Sequence, residues 1–412
     1  MNSPLPTDHL GSELTERVRD RVTELDPVLV QVRRDLHSHP ELSWQETRTT
    51  DVVCEHLARA GVRHRRLPGT GVIADVGAAE PTRRVALRAD LDALPIQDRT
   101  GLEYASTIDG VAHGCGHDVH TTVVLGAGLA LAHVQDELEA QGRAVRLLFQ
   151  PAEERVPGGA HHMMEHGALD GVDEIFAVHC DPSIDVGEVG LATGPITSAC
   201  DALTVNLHGK GGHTSRPHLT QDLVYALGKI VADVPAALSR RLDPRSGVVL
   251  VWGTVHAGNA QNVIPASGSA SGTIRVLDVE AWRDLGERVE KIVQEVAAPY
   301  DVSVQTEYVR GVPPVVNQAA SVLALSRAAS SALGPAAVVP TRQSLGGEDF
   351  SWYLGDVPGA MARLGTRTPG GTTYELHQGD LVVDERAIGH GATLLAGAAL
   401  YHGAGDATSP IR

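Results

Sequence analysis

The stretch "RAVRLLFQPAEE" (residues 143–154) sets an unbroken apolar run between an arginine-flanked start and a proline turn that ends in two carboxylates. Period-two alternation is missing, so the run reads as a strand covered on both faces. "TRRVALRAD" (82–90) and "DEIFAVHC" (173–180) repeat the pattern, and "HTTVVLGAGLALAHVQDEL" (120–138) and "GGAHHMMEHGAL" (158–169) between them carry helical stretches. Strands alternating with helices predict an α/β domain, a mostly parallel sheet flanked by helices.

Upstream, Val18, Val22, Leu25, Val28, Val32 and Leu36 predict a helix over 14–37, and a second amphipathic run covers 44–57. Glycine and proline interrupt the pattern at "GEVGLATGP" (187–195), and a different rhythm follows. "ALTVNLHGKG", "DLVYALGKIVADVPAAL", "GVVLVWGTVHAG", "GSASGTIRVLD", "EAWRDLGERVEKIVQEVAAPY" and "VSVQTEYVRG" read as strand, helix, strand, strand, helix, strand. That order predicts an inserted ferredoxin-like α+β domain over 194–311, between catalytic segments 1–193 and 312–412. Helices are expected again over 319–333 and 385–403.

At 412 residues the chain exceeds what one core supports, which agrees with two domains. Its net charge of −17, spread along the sequence, argues against nucleic acid or an anionic membrane as partner. The opening residues show no basic start followed by an apolar run, and no 18-residue apolar stretch occurs, so a cytoplasmic protein is expected. Four cysteines in such a chain are expected to be reduced thiols.

Open α/β sheets place their sites at the carboxyl ends of strands. There stand Asp90 and Asp92, Glu153 and Glu154, and His179, beside the cluster "HGCGHDVHTT" (113–122). In an extended segment Cys115 and His117 face one point, and thiolate with imidazole suits a divalent metal. Adjacent Glu153 and Glu154 can divide the work, one binding metal while the other takes a proton. Each piece alone has a plainer reading: a satisfied core histidine, a solvated helix start, a turn-forming Asp-x-Asp, a cysteine nucleophile with its base. Together, each at the end of its own strand, they favour metal.

These stretches, with "RRDLHSHPELSWQE", "GKGGHTSRPH", "NAQNVIP", "GGEDFSWY" and "LHQGD", resemble the metallopeptidase-like amidohydrolases, which include aminoacylases, hippurate hydrolases and auxin-conjugate hydrolases. The resemblance implies a two-metal hydrolase domain with an inserted lid or dimerisation domain. It implies Cys115, His117, Glu154, His179 and His377 as ligands of two divalent ions (zinc, manganese or cobalt), and Glu153 as general base. It implies His213, reaching a partner subunit's site in a homodimer, as oxyanion donor, Asn262 and Arg275 as substrate contacts, and Asp92 behind a ligand. Asp118 and His120 receive no role. Where relatives carry an apolar or aromatic residue after the histidine, "HCDP" here is expected to bring Cys180 and Asp181 beside the metals; "QGDLVVDE" also departs from the usual pattern.

The expected activity is hydrolysis of N-acyl amino acids or closely related amides. A dipeptidase or carbamoylase on the same scaffold is the nearest alternative. A hydrolase using Cys115 as nucleophile, or a binding protein with a closed structural metal site, would use the same residues differently.

Overall fold

The computed structural model describes residues 9–156 and 158–401, with side chains from residue 13. The chain divides into two compact units. One runs to Gly194 and takes up Val316–Arg342 and the chain from Trp352; the other comprises Pro195–Val315 with Gln343–Ser351.

The first unit opens with α1 (His9–Ser38) and α2 (Thr47–Arg59), then β1 (Arg63–Arg66), β2 (Val72–Gly77) and β3 (Arg83–Asp90). There follow α3 (His117–Ala132), α4 (Gln135–Ala140), β4 (Arg143–Gln150), α5 (Gly159–Glu165), β5 (Glu174–Asp185) and β6 (Val189–Leu191). Strands Val338–Pro340 and Gly359–Arg367 and helices Ala319–Leu333 and Arg386–Leu400 complete it. Residues 402–403 of the expected last helix, and the first eight residues, lie outside the described chain.

The eight-stranded sheet runs β1, β2, β4, β3, β5, Gly359–Arg367, β6, Val338–Pro340. It is mixed, with four of its seven neighbouring pairs parallel, as expected, and three antiparallel. The central neighbours β4, β3, β5 and Gly359–Arg367 are parallel, while β1 with β2, β2 with β4, and Gly359–Arg367 with β6 are antiparallel.

β4 is buried at every position, arginines included. Arg143 donates to the carbonyls of Ala399 (2.7 Å) and Leu400 (3.1 Å), closing the last helix, and Arg146 is paired with Asp75 (2.9 Å). An unpaired buried guanidinium would cost several kcal/mol, so these partners are what permit arginine there. In α1, Leu29 is buried and Val28 is exposed. The expected 120–138 helix starts earlier, at His117, and breaks after Ala132. Gly126 lets α1 and the last helix approach it: a Cβ there would meet Leu29 Cδ1 at 2.7 Å and Ala392 Cβ at 3.2 Å.

The second unit carries an antiparallel sheet in the order Val249–Ala257, Ser267–Val276, Ala199–His208, Ser303–Val312. Helices Leu223–Arg241 and Leu285–Ala297 bury one apolar stripe each, including Leu227, Ile230, Val234, Val289 and Val293. Among the described residues no helix is long and apolar enough to cross a membrane.

Candidate metal centre

Cys115 and His117 do not share an extended strand. Gly116 between them is left-handed (φ 84°), and His117 is already the first residue of α3. Any side chain at 116 would be strained and would place its Cβ 2.8 Å from Cys180 Sγ, so the turn requires glycine. The turn still brings the pair together: Cys115, His117 and His179 offer donor atoms all within 4.8 Å of one another. Cys115, Glu154 and His377 form a second such group, and His117, Glu153 and Glu154 a third. The sulfur of Cys115 lies 3.6 Å from His179 Nε2, and Glu154 Oε1 lies 3.3 Å from His377 Nε2 and 3.8 Å from His117 Nε2. Glu153 Oε2 is 4.0 Å from His117 Nε2.

Each histidine presents a defined nitrogen. His117 Nδ1 donates to the Asp92 carbonyl (2.8 Å) and His179 Nδ1 to the Cys180 carbonyl (2.8 Å), which leaves Nε2 of each ring as the nitrogen facing the donor groups. Among the described residues, His117 Nε2 and Glu154 Oε1 are buried without a hydrogen-bond partner. Such orphaned polar atoms, converging with a thiol, are costly unless a cation fills the space, and the mixed Cys, His and Glu donors fit a divalent transition ion.

Electrostatics support the same arrangement. Burial, then Arg363 and His120, hold the His179 pKa well below its usual value, which favours the neutral ring. Burial would also depress His117, but Asp90 and Cys115 outweigh it and its pKa stands well above the ordinary one. His377 is pushed up to about 10, first by Cys115 and then by Glu154. A bound cation would displace these protons.

Asp92 is hydrogen-bonded to more than one of the candidate site residues, its carbonyl accepting from His117 Nδ1. Its carboxylate accepts the backbone N–H groups of Glu153 and Glu154 (3.0 Å each) and the Ser43 hydroxyl (2.6 Å).

His120 and Asp118 gain partners that motif reading does not supply. His120 Nδ1 donates to Asp90 (2.7 Å), which Arg88 also grips (2.6 Å), and His120 Nε2 accepts the Cys180 N–H (2.8 Å) next to His179. Burial favours a protonated Asp90, yet His117, His120 and Arg88 hold its pKa well below normal. Asp118 pairs with Arg33 and His37, both at 2.8 Å, tying α1 to the start of α3. The three-residue step from His117 to His120 along one helix face is the signal that points to the first of these.

Two expectations need correction. β5 does not end at His179 but continues to Asp185, because Gly359–Arg367 pairs with it that far. Cys180 and Asp181 therefore point to opposite sides: Cys180 packs against Gly116, whereas Asp181 accepts from the Ser183 N–H (2.9 Å) and hydroxyl (2.6 Å) in a separate cleft with Glu188 and Arg342. His377 adopts φ 62° in an irregular segment, and its N–H donates to the Gly114 carbonyl (2.7 Å).

His213, Asn262 and Arg275 belong to the second unit. His213 pairs with Val263 in a two-stranded ribbon, exposed, next to Asn262. The Ser215 N–H donates to His213 Nδ1 (3.1 Å), so Nε2 carries the proton and is a donor. Arg275 lies near the far end of the strand Ser267–Val276 and donates to the Leu345 carbonyl.

The sequence profile of Peptidase family M20/M25/M40 matches residues 86–401. The N-acetyl-L-cysteine deacetylase of Bacillus subtilis (strain 168) is 36% identical over 368 residues, 89% of this chain and 86% of that protein. A Rhodococcus jostii (strain RHA1) protein named "Putative glutamate--cysteine ligase 2-3" is 49% identical over 375 residues, 90% of this chain; the chain spans 46% of that protein's length. The crystal structure of the Bacillus subtilis YXEP protein, described as a dinuclear metal binding peptidase from the M20 family, superposes with a TM-score of 0.80 at 34% identity, covering 92% of this chain and 98% of that one. A profile match over most of the sequence and full-length relatives above 30% identity establish that the chain belongs to peptidase family M20/M25/M40, as a hydrolytic enzyme of its metallopeptidase-like amidohydrolase kind.

Proposed function

We propose that this enzyme is a metal-dependent amidohydrolase that cleaves the amide of N-acyl amino acids or closely related amides. The observation that carries the reading is that Cys115 belongs to two three-donor groups at once, with Glu153 beside them. Cys115, His117, Glu154, His179 and His377 would hold two divalent ions. When bound, the ions acidify a water and polarise the scissile carbonyl. Glu153 takes the proton of the attacking water and passes it to the leaving amine. His213, with its Nε2–H, donates to the developing oxyanion, and Asn262 and Arg275 hold the substrate, the guanidinium matching a free carboxylate.

Placement within the second unit supports a homodimer. From Ser267, close to the ribbon that bears His213 and Asn262, to Arg275 is eight residues of strand, roughly 26 Å, too far for one copy to offer all three to one small substrate. Arg275 would serve its own subunit's site, and His213 and Asn262 the partner's. The strand Val249–Ala257 is a sheet edge exposing Val249, Val251 and Val255, an apolar edge that a second copy would cover. Mixing a His213→Ala protein with a Glu153→Gln protein is expected to restore about a quarter of wild-type turnover, because each heterodimer regains one intact site. No restoration would mean that the histidine acts within its own subunit.

The substrate class is tested by hydrolysis of acetyl, benzoyl, indole-acetyl and carbamoyl amino acids, and of dipeptides, by the metal-loaded enzyme. Acyl amino acids are expected to be turned over at least about tenfold faster than the others, a preference worth about 1.4 kcal/mol in the transition state. Flat, low rates across the acyl panel with rapid dipeptide cleavage would replace this reading with the dipeptidase one.

A further inference from the structure

Three consecutive backbone N–H groups, those of Ala152, Glu153 and Glu154, are each captured by a buried carboxylate from elsewhere in the chain. Asp92 takes the last two. The first goes to Glu46 Oε1 at 2.8 Å. The same oxygen accepts the Trp44 N–H (2.9 Å), and Glu46 Oε2 accepts the Thr70 hydroxyl (2.8 Å). Glu46 itself is wholly buried.

The two amides on that one oxygen have something in common. Ala152 (φ 50°) and Trp44 (φ 68°) are both left-handed, a conformation costing an L-residue roughly 1–2 kcal/mol. Neither is glycine, so something outside the local backbone must hold them. A desolvated carboxylate is a strong acceptor, and bonds to it are about twice as strong as neutral ones. Glu46 reaches the turn across 106 residues of sequence, from the segment between α1 and α2. Gly159 then closes the other side, its N–H donating to the Ala152 carbonyl (3.0 Å), where any Cβ would overlap the Pro151 carbonyl.

We propose that Glu46 is a positioning residue for the reaction: its carboxylate locks the left-handed turn at Ala152 and thereby fixes the direction in which the Glu153 side chain leaves the backbone. The inference rests on the reading of Glu153 as the base. Displacement of a reacting group by about 1 Å can cost up to a hundredfold in rate, so a turn released by one hydrogen bond is enough to matter.

Two substitutions separate reach from charge. Glu46→Gln keeps the length: its carbonyl can accept both N–H groups while its amide faces Thr70, whose hydroxyl can accept. Glu46→Asp keeps the charge but is one methylene too short to serve Ala152, Trp44 and Thr70 together. The Asp variant is expected to lose at least about tenfold in kcat and the Gln variant no more than about threefold, with KM and metal content unchanged in both. Amide hydrogen exchange at residues 152–154 should quicken in the Asp variant, loaded or metal-free. Wild-type kcat and exchange in the Asp variant would overturn the proposal, as would equal losses in both variants or a loss matched by missing metal. If the wild-type protein hydrolyses nothing in the panel, the proposed function fails, while the exchange comparison still decides whether Glu46 holds the turn.

Discussion

Replacing Glu153 by Gln is expected to lower kcat by two or more orders of magnitude while metal content, KM and fold stay as they are. General acid and base work contributes about 10²–10⁴-fold, and the amide keeps the shape of the carboxylate but cannot take a proton. Glu153 is suited to that work by placement: its backbone is pinned by Asp92 and its carboxylate stands 4.0 Å from His117 Nε2, beside the donor groups. Glu154→Gln should behave differently, losing metal and activity together, because Glu154 Oε1 faces both His117 and His377. Steady-state kinetics with elemental analysis of each variant checks both. Undiminished turnover in Glu153→Gln would leave a closed structural site as the better account.

Chelation should abolish hydrolysis, and Mn²⁺, Zn²⁺ or Co²⁺ should restore it. A hydrolase using Cys115 as nucleophile would instead ignore chelators and fail with alkylating agents. Reloading should also show a defined pH dependence. In the metal-free protein His377 titrates near 10 and so carries a proton at neutral pH, with the His117 pKa raised in the same direction and that of His179 lowered. Metal must displace that proton, so uptake is expected to release acid and to tighten as pH rises toward about 10. The sign for stability is opposite. A histidine whose folded pKa is raised stabilises the metal-free fold below its unfolded value near 6.5, and that contribution fades as pH climbs through about 10. Calorimetric titration in buffers of different ionisation enthalpy measures the released protons; uptake independent of pH would show that these histidines are not displaced ligands.

Much of the first unit is legible because burial leaves a compositional trace. The apolar runs of β3, β4 and β5 and the stripe along α1 announce elements whose faces are covered. β1 is illegible for the converse reason: "RHRR" has no apolar pattern, and only pairing with β2 makes it a strand. The three-residue strands β6 and Val338–Pro340 are equally silent. Within the site, Cys115, His117, Glu153 and Glu154 stand out because chemistry crowds into short motifs. His377 has no such neighbours, and only the family resemblance brings it forward. Glu46, His120 and Asp118 act through partners 106, 30 and 85 residues away, contacts that no local pattern encodes. Asp181 is misplaced by reading β5 as ended: its carboxylate is taken up by Ser183 further along the continuing strand.

Ala152 and His377, left-handed residues at the candidate metal centre, bear on any attempt to make this enzyme more heat-tolerant. Glycine at 152 removes the steric cost of that conformation and would rank high in a search for thermostabilising changes, yet it also slackens the hinge on which Glu153 is mounted. Laboratory selection for durability alone would be drawn to that position and would reward sluggish catalysts, so turnover has to be screened alongside melting temperature from the first round.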